Sequence, residues 1–375
     1  MIDNNTSEMH IWRCSGGNCL RNGLFPERVK IKPKPVFTLT AEAAIQASVV
    51  FDSKGNCYVA DMSGLVQSFD SANKLIWKVN LNGSIIATPV VLPNDNYLFV
   101  ATTAGSVYAI DCGNGKILHK KEIPTKTDPR ILSNLLYVEK INSIVLNSWG
   151  GKFCCLTADK LDEKFVWDAG IFPYSGASSD SDGNIYSLRA VANRGIECVK
   201  VKPDGTETII YCESERKRGI NRMLVSASPV INDKRKLVYV VINRDAGANL
   251  CAISTESDKV LFKMGLPNSV QATPVIRNDG AIIVFDLRGQ VLGFDFDGGF
   301  KFQYKSDADY LLSGGVCEQG RTVFFGTPDG TIHQLNENGT GKVIFETARS
   351  IQATASFSPK GNLYIPSTDK NVYVF

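Results

Sequence analysis

The chain has 375 residues, of which 43% are hydrophobic and 21% charged, and a formal net charge of +3. This composition excludes global disorder, and so small a charge excludes nucleic acid or an anionic membrane as a partner of the whole surface, leaving room only for a local basic footprint. No stretch approaches the roughly 18 consecutive apolar residues needed to span a bilayer, and the start, MIDNNTSEMHIWRCSGGNC, has neither the basic nor the apolar region of a secretory signal, so a cytoplasmic protein is expected.

In chain order, residues 1–34 read as an N-terminal arm and residues 35–375 as one repeat domain. A strand, Pro35-Val36-Phe37-Thr38-Leu39, opens that domain. Next come segments that nearly superimpose: Ile86-Ala87-Thr88-Pro89-Val90-Val91, Ser226-Ala227-Ser228-Pro229-Val230-Ile231 and Gln271-Ala272-Thr273-Pro274-Val275-Ile276. Ile45-Gln46-Ala47-Ser48 and Ile351-Gln352-Ala353-Thr354 extend the set. Their spacing, about 40 residues or a multiple of it, is the period of a four-stranded propeller blade.

Each unit repeats one grammar. A small-residue inner strand meets a turn such as Asp52-Ser53-Lys54-Gly55-Asn56, then a β-branched and aromatic strand such as Tyr97-Leu98-Phe99-Val100. A Gly-containing hairpin (Leu287-Arg288-Gly289) leads to an alternating strand, Val107-Tyr108-Ala109-Ile110-Asp111. An Asn/Asp-Gly turn then leads to the last strand. Alternation of period two with Gly at the turns is the chemistry of antiparallel hairpins. Inner strands are expected to begin near Gln46, Ile86, Leu132, Tyr174, Ser226, Gln271, Leu311 and Gln352. The eighth unit stops at Phe375 after three strands, and pairing it with the strand at residues 35–39 closes the ring and removes its open edge. The expected fold is therefore an all-β, eight-bladed propeller of four-stranded antiparallel blades closed by an N-terminal strand. Seven blades is the alternative.

The inner strands ending in Thr/Ser-Pro, the Gly105-to-Asp111 strand and the Asn114-Gly115-Lys116 turn resemble pyrroloquinoline-quinone-like repeats. The arm, Trp12-Arg13-Cys14-Ser15-Gly16-Gly17-Asn18 with Arg21-Asn22-Gly23, is similar to the segment that precedes such propellers. This resemblance implies the quinoprotein-dehydrogenase-like fold and raises the question of the quinone. Dehydrogenases of that superfamily are longer and carry a Trp at a fixed place in each blade. Here the four Trp (Trp12, Trp77, Trp149, Trp167) do not recur by blade, so no quinone is expected. The pair Cys154-Cys155 reads as alternating strand residues rather than a vicinal disulfide, and the ten scattered cysteines show no disulfide framework.

Connectors between blades and the second-to-third-strand hairpins share one face around the channel mouth, where a rigid frame carries variable chemistry. Asp61, Asp286, Tyr174 and Tyr310 are the acid, base and phenol candidates there. Arg130, Arg222, Arg244, Arg288 and Arg349, with Trp149, Gln46, Gln271 and Gln352, are the ligand-binding candidates. The insertion from Glu213 to Arg222 adds basic residues near the mouth. The bland reading of the same residues is a solvated rim of turn-forming aspartates and neutral ion pairs.

His10, His119 and His333 are too dispersed for a zinc site or a triad, so no metal site is expected, although mouth carboxylates leave a divalent cation open. Two functions remain. One is a monomeric module binding a polar or anionic small molecule or peptide at the mouth, with a protein partner also possible. The other is a non-redox enzyme of the lyase, cyclase or isomerase kind, using the carboxylates, tyrosines and arginines of the same mouth.

Overall fold

The structure is a computed structural model and describes residues 10–125, 127–170, 174–191, 194–213, 225–244 and 246–375. Each sequence unit folds as a four-stranded antiparallel sheet with its inner strand first. Seven lie at residues 50–80, 90–122, 136–168, 178–213, 230–266, 275–305 and 316–346, hereafter blades 1 to 7. Blade 8 takes three strands from residues 356–374 and its outermost strand, Phe37–Thr40, from the other end of the domain. The closing register is antiparallel, Phe37 opposite Val374 and Leu39 opposite Val372, and Leu39 is buried. The seven-bladed alternative is therefore discarded. Among the described residues the helical pieces are two single 3-10 turns, Glu139–Ile141 and Asp233–Arg235, and no helix is long and apolar enough to cross a membrane.

Alternation along the inner strands explains their composition. Side chains two apart share a face, so Ala47, Ala87, Ala227 and Ala272 pack between blades, all essentially buried, while the residues on either side of each turn to the channel. Apolar side chains accordingly collect in radial slices between neighbouring blades, such as Tyr58, Trp77, Leu98 and Tyr108 between blades 1 and 2. Cys154 and Cys155 follow the same rule. Both are free and buried, Cys154 in the slice towards blade 2 and Cys155 in the slice towards blade 4.

Aromatic rings on outermost strands latch neighbouring blades together. Trp77 lies over Gly115 in the last turn of blade 2 and donates from Nε1 to the Cys112 carbonyl at 2.8 Å. Phe302 of blade 6 lies over Gly339 of blade 7 in the same way. Trp and Phe share this role, which is why a search for recurrent Trp alone does not find it.

The arm crosses the end of the channel where the inner strands finish, and it contacts every blade. Backbone N–H groups of Phe51, Val91, Ser179, Ile231, Ile276 and Cys317 donate to the carbonyls of Trp12, Arg13, Cys19, Leu20, Asn22 and Gly23, at 2.7 to 3.0 Å. Blade 3 is held by Arg21, whose guanidinium donates to the carbonyls of Asn134 and Leu135, both at 3.0 Å. In blade 8, Phe357 stacks on Phe25 with centroids 4.8 Å apart and meets Trp12 edge-on.

Candidate functional site

Because the arm closes one end, the channel is a blind cavity of about 380 Å³ open at the other, within the size range of small-molecule sites. Its wall is built from two rings, one residue per blade in each. The outer ring, nearer the mouth, is Gln46, Ile86, Leu132, Tyr174, Ser226, Gln271, Leu312 and Gln352, all lining the cavity. Two residues further along each strand lie Ser48, Thr88, Asn134, Gly176, Ser228, Thr273, Gly314 and Thr354. In blade 7 the residue expected to open the strand, Leu311, is instead fully buried, and Leu312 takes the ring position.

The inner ring explains the recurrent Thr/Ser before Pro. Its side-chain oxygens accept the backbone N–H of the previous blade: Ser48 N–H to Thr88 Oγ1 at 3.1 Å, Thr88 N–H to Asn134 Oδ1 at 2.8 Å, Gly176 N–H to Ser228 Oγ at 3.0 Å, and Ser228 N–H to Thr273 Oγ1 at 3.1 Å. Gly176 breaks the pattern for a steric reason. A Cβ there would lie 3.1 Å from the Arg21 guanidinium. That cation is buried, and its donors are spent on four backbone carbonyls: Ala177 at 2.5 Å, Asn134 and Leu135 at 3.0 Å, and Ser15 at 3.3 Å. Ser15 of the arm also lines the cavity.

Among the described residues no acidic or basic side chain lines the cavity. The wall is two-sided. Contiguous blades 2, 3 and 4 present Ile86, Leu132, Trp149 and Tyr174, with the two aromatic rings edge-on at 6.3 Å. The opposite arc presents the amides of Gln271, Gln352 and Gln46, interrupted by Leu312. Tyr174 is partly exposed at the mouth, and the desolvation of its phenol by the surrounding wall raises the pKa above its ordinary value.

Of the residues singled out in the sequence, Gln46, Gln271, Gln352, Trp149 and Tyr174 are brought together in the cavity, and the charged ones are not. Asp61 Oδ1 accepts the N–H groups of Ser63 and Leu65, and its Oδ2 those of Glu42 and Ala43. Asp286 Oδ1 accepts from Arg288 and Gln290 N–H, and its Oδ2 from Asn268. Both are buried in hairpin turns on the mouth side.

Arg130 is paired with Asp128 at 2.5 Å, holding that carboxyl below its usual range, and lies 5.4 Å from the Trp149 ring centre. Glu42 pairs with Lys78, and Arg194 with Glu197. Arg244, Arg288, Arg349 and Tyr310 are exposed. Among the described residues none of those three arginines has a carboxylate partner within ion-pair distance. Arg222 and most of the basic insertion lie outside the described residues.

The residues present do not fit the quinone. A polycarboxylated ring needs cationic partners, and the described lining supplies none. Among the described residues no group of His, Cys, Asp or Glu is placed to hold a metal ion. Of the outer ring, the sequence marks Gln46, Tyr174, Gln271 and Gln352 as site candidates, Ile86, Leu132 and Ser226 only as strand starts, and Leu312 not at all.

Three comparisons bear on this architecture. No curated protein sequence matches the chain significantly. Among solved structures it is similar to BamB from Moraxella catarrhalis, with a TM-score of 0.73 and 15% identity over 91% of this chain and 98% of that one. It is also similar to quinohemoprotein alcohol dehydrogenase from Comamonas testosteroni, with a TM-score of 0.78 and 11% identity over 99% of this chain and 81% of that one. The Dos1 propeller matches with a TM-score of 0.72 and 12% identity over 91% and 94%. At such identities these likenesses show the fold. A family profile goes further, matching residues 11–169 and 62–240, more than half of the chain. The chain belongs to that family of PQQ-like repeat propellers, described as outer membrane protein assembly factor BamB.

Proposed function

We propose that this protein is a binding module whose ligand, a small polar molecule, enters the blind channel from its open mouth. The observation that carries this reading is a set of polar groups left without protein partners in an enclosed space. The amides of Gln46, Gln271 and Gln352 line the cavity, are partly exposed to it, and have no protein partner among the described residues. Amides that converge on one blind cavity without protein partners point to a polar ligand, or to ordered water that such a ligand displaces.

Binding is favoured over catalysis because the oxygens of Asp61 and Asp286 are already committed to turn N–H groups. The proposed site needs no quinone and no metal ion. The assembly role in the family's description supports a second reading, a protein partner on the same face. Exposed Arg244, Arg288, Arg349 and Tyr310 would then meet an acidic surface.

A thermal-shift and native mass spectrometry screen of uncharged polar metabolites tests the first reading. Thr354→Trp, which fills the inner ring, is expected to abolish every shift while leaving the unliganded melting temperature nearly unchanged. Ligand capture that survives in the filled variant would put the site elsewhere.

A further inference from the structure

The two-sided wall of the channel restricts the chemistry of what it holds, and the following rests on the binding reading above. A peptide strand is disfavoured, because strand addition needs an unbroken row of free backbone groups and half of the inner ring does not offer one. The inner-ring N–H groups of Ser48, Thr88, Gly176 and Ser228 are already spent on the next blade. An ion is disfavoured, because no described lining residue is charged, and the Arg21 donors below the floor are enclosed by carbonyls. What remains open is the side-chain amides of Gln46, Gln271 and Gln352 along one arc, and an aliphatic and aromatic surface along the other.

Each primary amide presents a donor and an acceptor side by side, the pattern that neighbouring ring hydroxyls answer with one donor and one acceptor each. The apolar arc suits a face of C–H groups. We propose that the ligand is an uncharged polyhydroxylated ring, a pyranose sugar or a cyclitol. Its C–H face lies against Leu132, Trp149 and Tyr174, and its hydroxyl edge is read by Gln46, Gln271 and Gln352. A ring holds face and edge in one fixed relation, whereas an open-chain polyol has to be ordered on binding.

Calorimetric titration of the full chain tests this, with D-glucose, cellobiose and myo-inositol as probes. Sorbitol is the acyclic control, D-glucuronate the charged control and N-acetylglycinamide the uncharged control without hydroxyls. At least one ring probe is expected to bind saturably with a Kd below about 1 mM, and at least about tenfold more tightly than sorbitol or glucuronate. Gln271→Ala and Gln352→Ala are each expected to weaken it about tenfold, the scale of one lost hydrogen bond, with the melting temperature unchanged. Binding of N-acetylglycinamide but of no ring probe, lost in Gln271→Ala, overturns the sugar assignment and leaves the binding module standing. Tighter binding of glucuronate than of glucose overturns the uncharged ligand. Silence from every probe overturns both this inference and the cavity reading.

Discussion

Asp61, Ser148, Asp286, Thr327 and Ser367 stand at the same place in different blades, the first residue of the second-to-third-strand hairpin. Thr327 Oγ1 accepts the Thr331 N–H just as Asp61 Oδ1 accepts that of Leu65. A carboxylate and a hydroxyl are interchangeable there because the position asks only for an acceptor, as in Asx- and ST-turns. Arg21 is the opposite case, a charge whose shape matters. Its planar fork reaches four carbonyls that a lysine, with a point charge and three donors, cannot serve together. Arg21→Lys and Arg21→Met are both expected to destabilise the protein by about 3 kcal/mol in denaturant unfolding, the cost of leaving buried carbonyls unpaired. His10 gives a pH signature. Burial against Trp12 and Phe25 pushes its imidazole down from 6.5 to about 4, so the folded state stays neutral where the unfolded state takes a proton. Stability is then full above pH ~6.5 and is lost as pH falls towards about 4, by at most ~3 kcal/mol. His10→Phe is expected to flatten that part of the stability profile measured by thermal melts at each pH. An unchanged slope would assign the acid sensitivity to other groups.

Blade edges are where neighbouring sheets are fastened, and the ring-on-glycine latch shows how narrow the tolerance is. Gly115 has a φ of +75°, and a Cβ on it would stand 2.7 Å from the Trp77 indole. Gly115→Ala therefore combines left-handed strain with a clash and is expected to cost about 2 kcal/mol in equilibrium unfolding. A change below a few tenths would mean that the indole swings aside freely. Much of this scale was legible beforehand. The period of about 40 residues, the Thr/Ser-Pro strands and the missing fourth strand near Phe375 led directly to the sheets and the closing pair. Periodicity is a local property, so the residues that obey it were placed well. Gln46, Tyr174, Ser226, Gln271 and Gln352 were each marked as strand starts and each line the cavity. Charged candidates fared otherwise, because sequence does not show which carboxylates are consumed by their own turns, as Asp61 and Asp286 are.

At the scale of the whole molecule, one segment does two jobs. Residues 10–34 close the channel floor and Phe37–Thr40 closes the ring. The arm's path was not readable, since it follows no repeat and its contacts with the blades are distant in sequence, such as Arg21 with Leu135 and Phe25 with Cys317. Deleting residues 1–40 is expected to lower the melting temperature sharply, exposing the edge of Asn371–Val374 and turning the blind cavity into an open channel. A truncated chain that melts like the full one would show that neither closure contributes to stability.

The double role of the arm also dictates an order of events in folding. The arm is made first, yet each surface that receives it belongs to a blade made later. The strand that Phe37–Thr40 closes on follows all seven other blades, with Thr40 and Asn371 separated by 331 positions. Local hairpins form early, whereas a loop of that span closes only after the intervening chain is compact. Until then the inner strands of finished blades keep unpaired N–H groups towards the axis, a condition that invites misassembly and aggregation. Ring closure and arm docking are thus expected to be the late, slow steps of refolding. Trp12, fully buried only when the arm has docked, is the indole whose burial should report them.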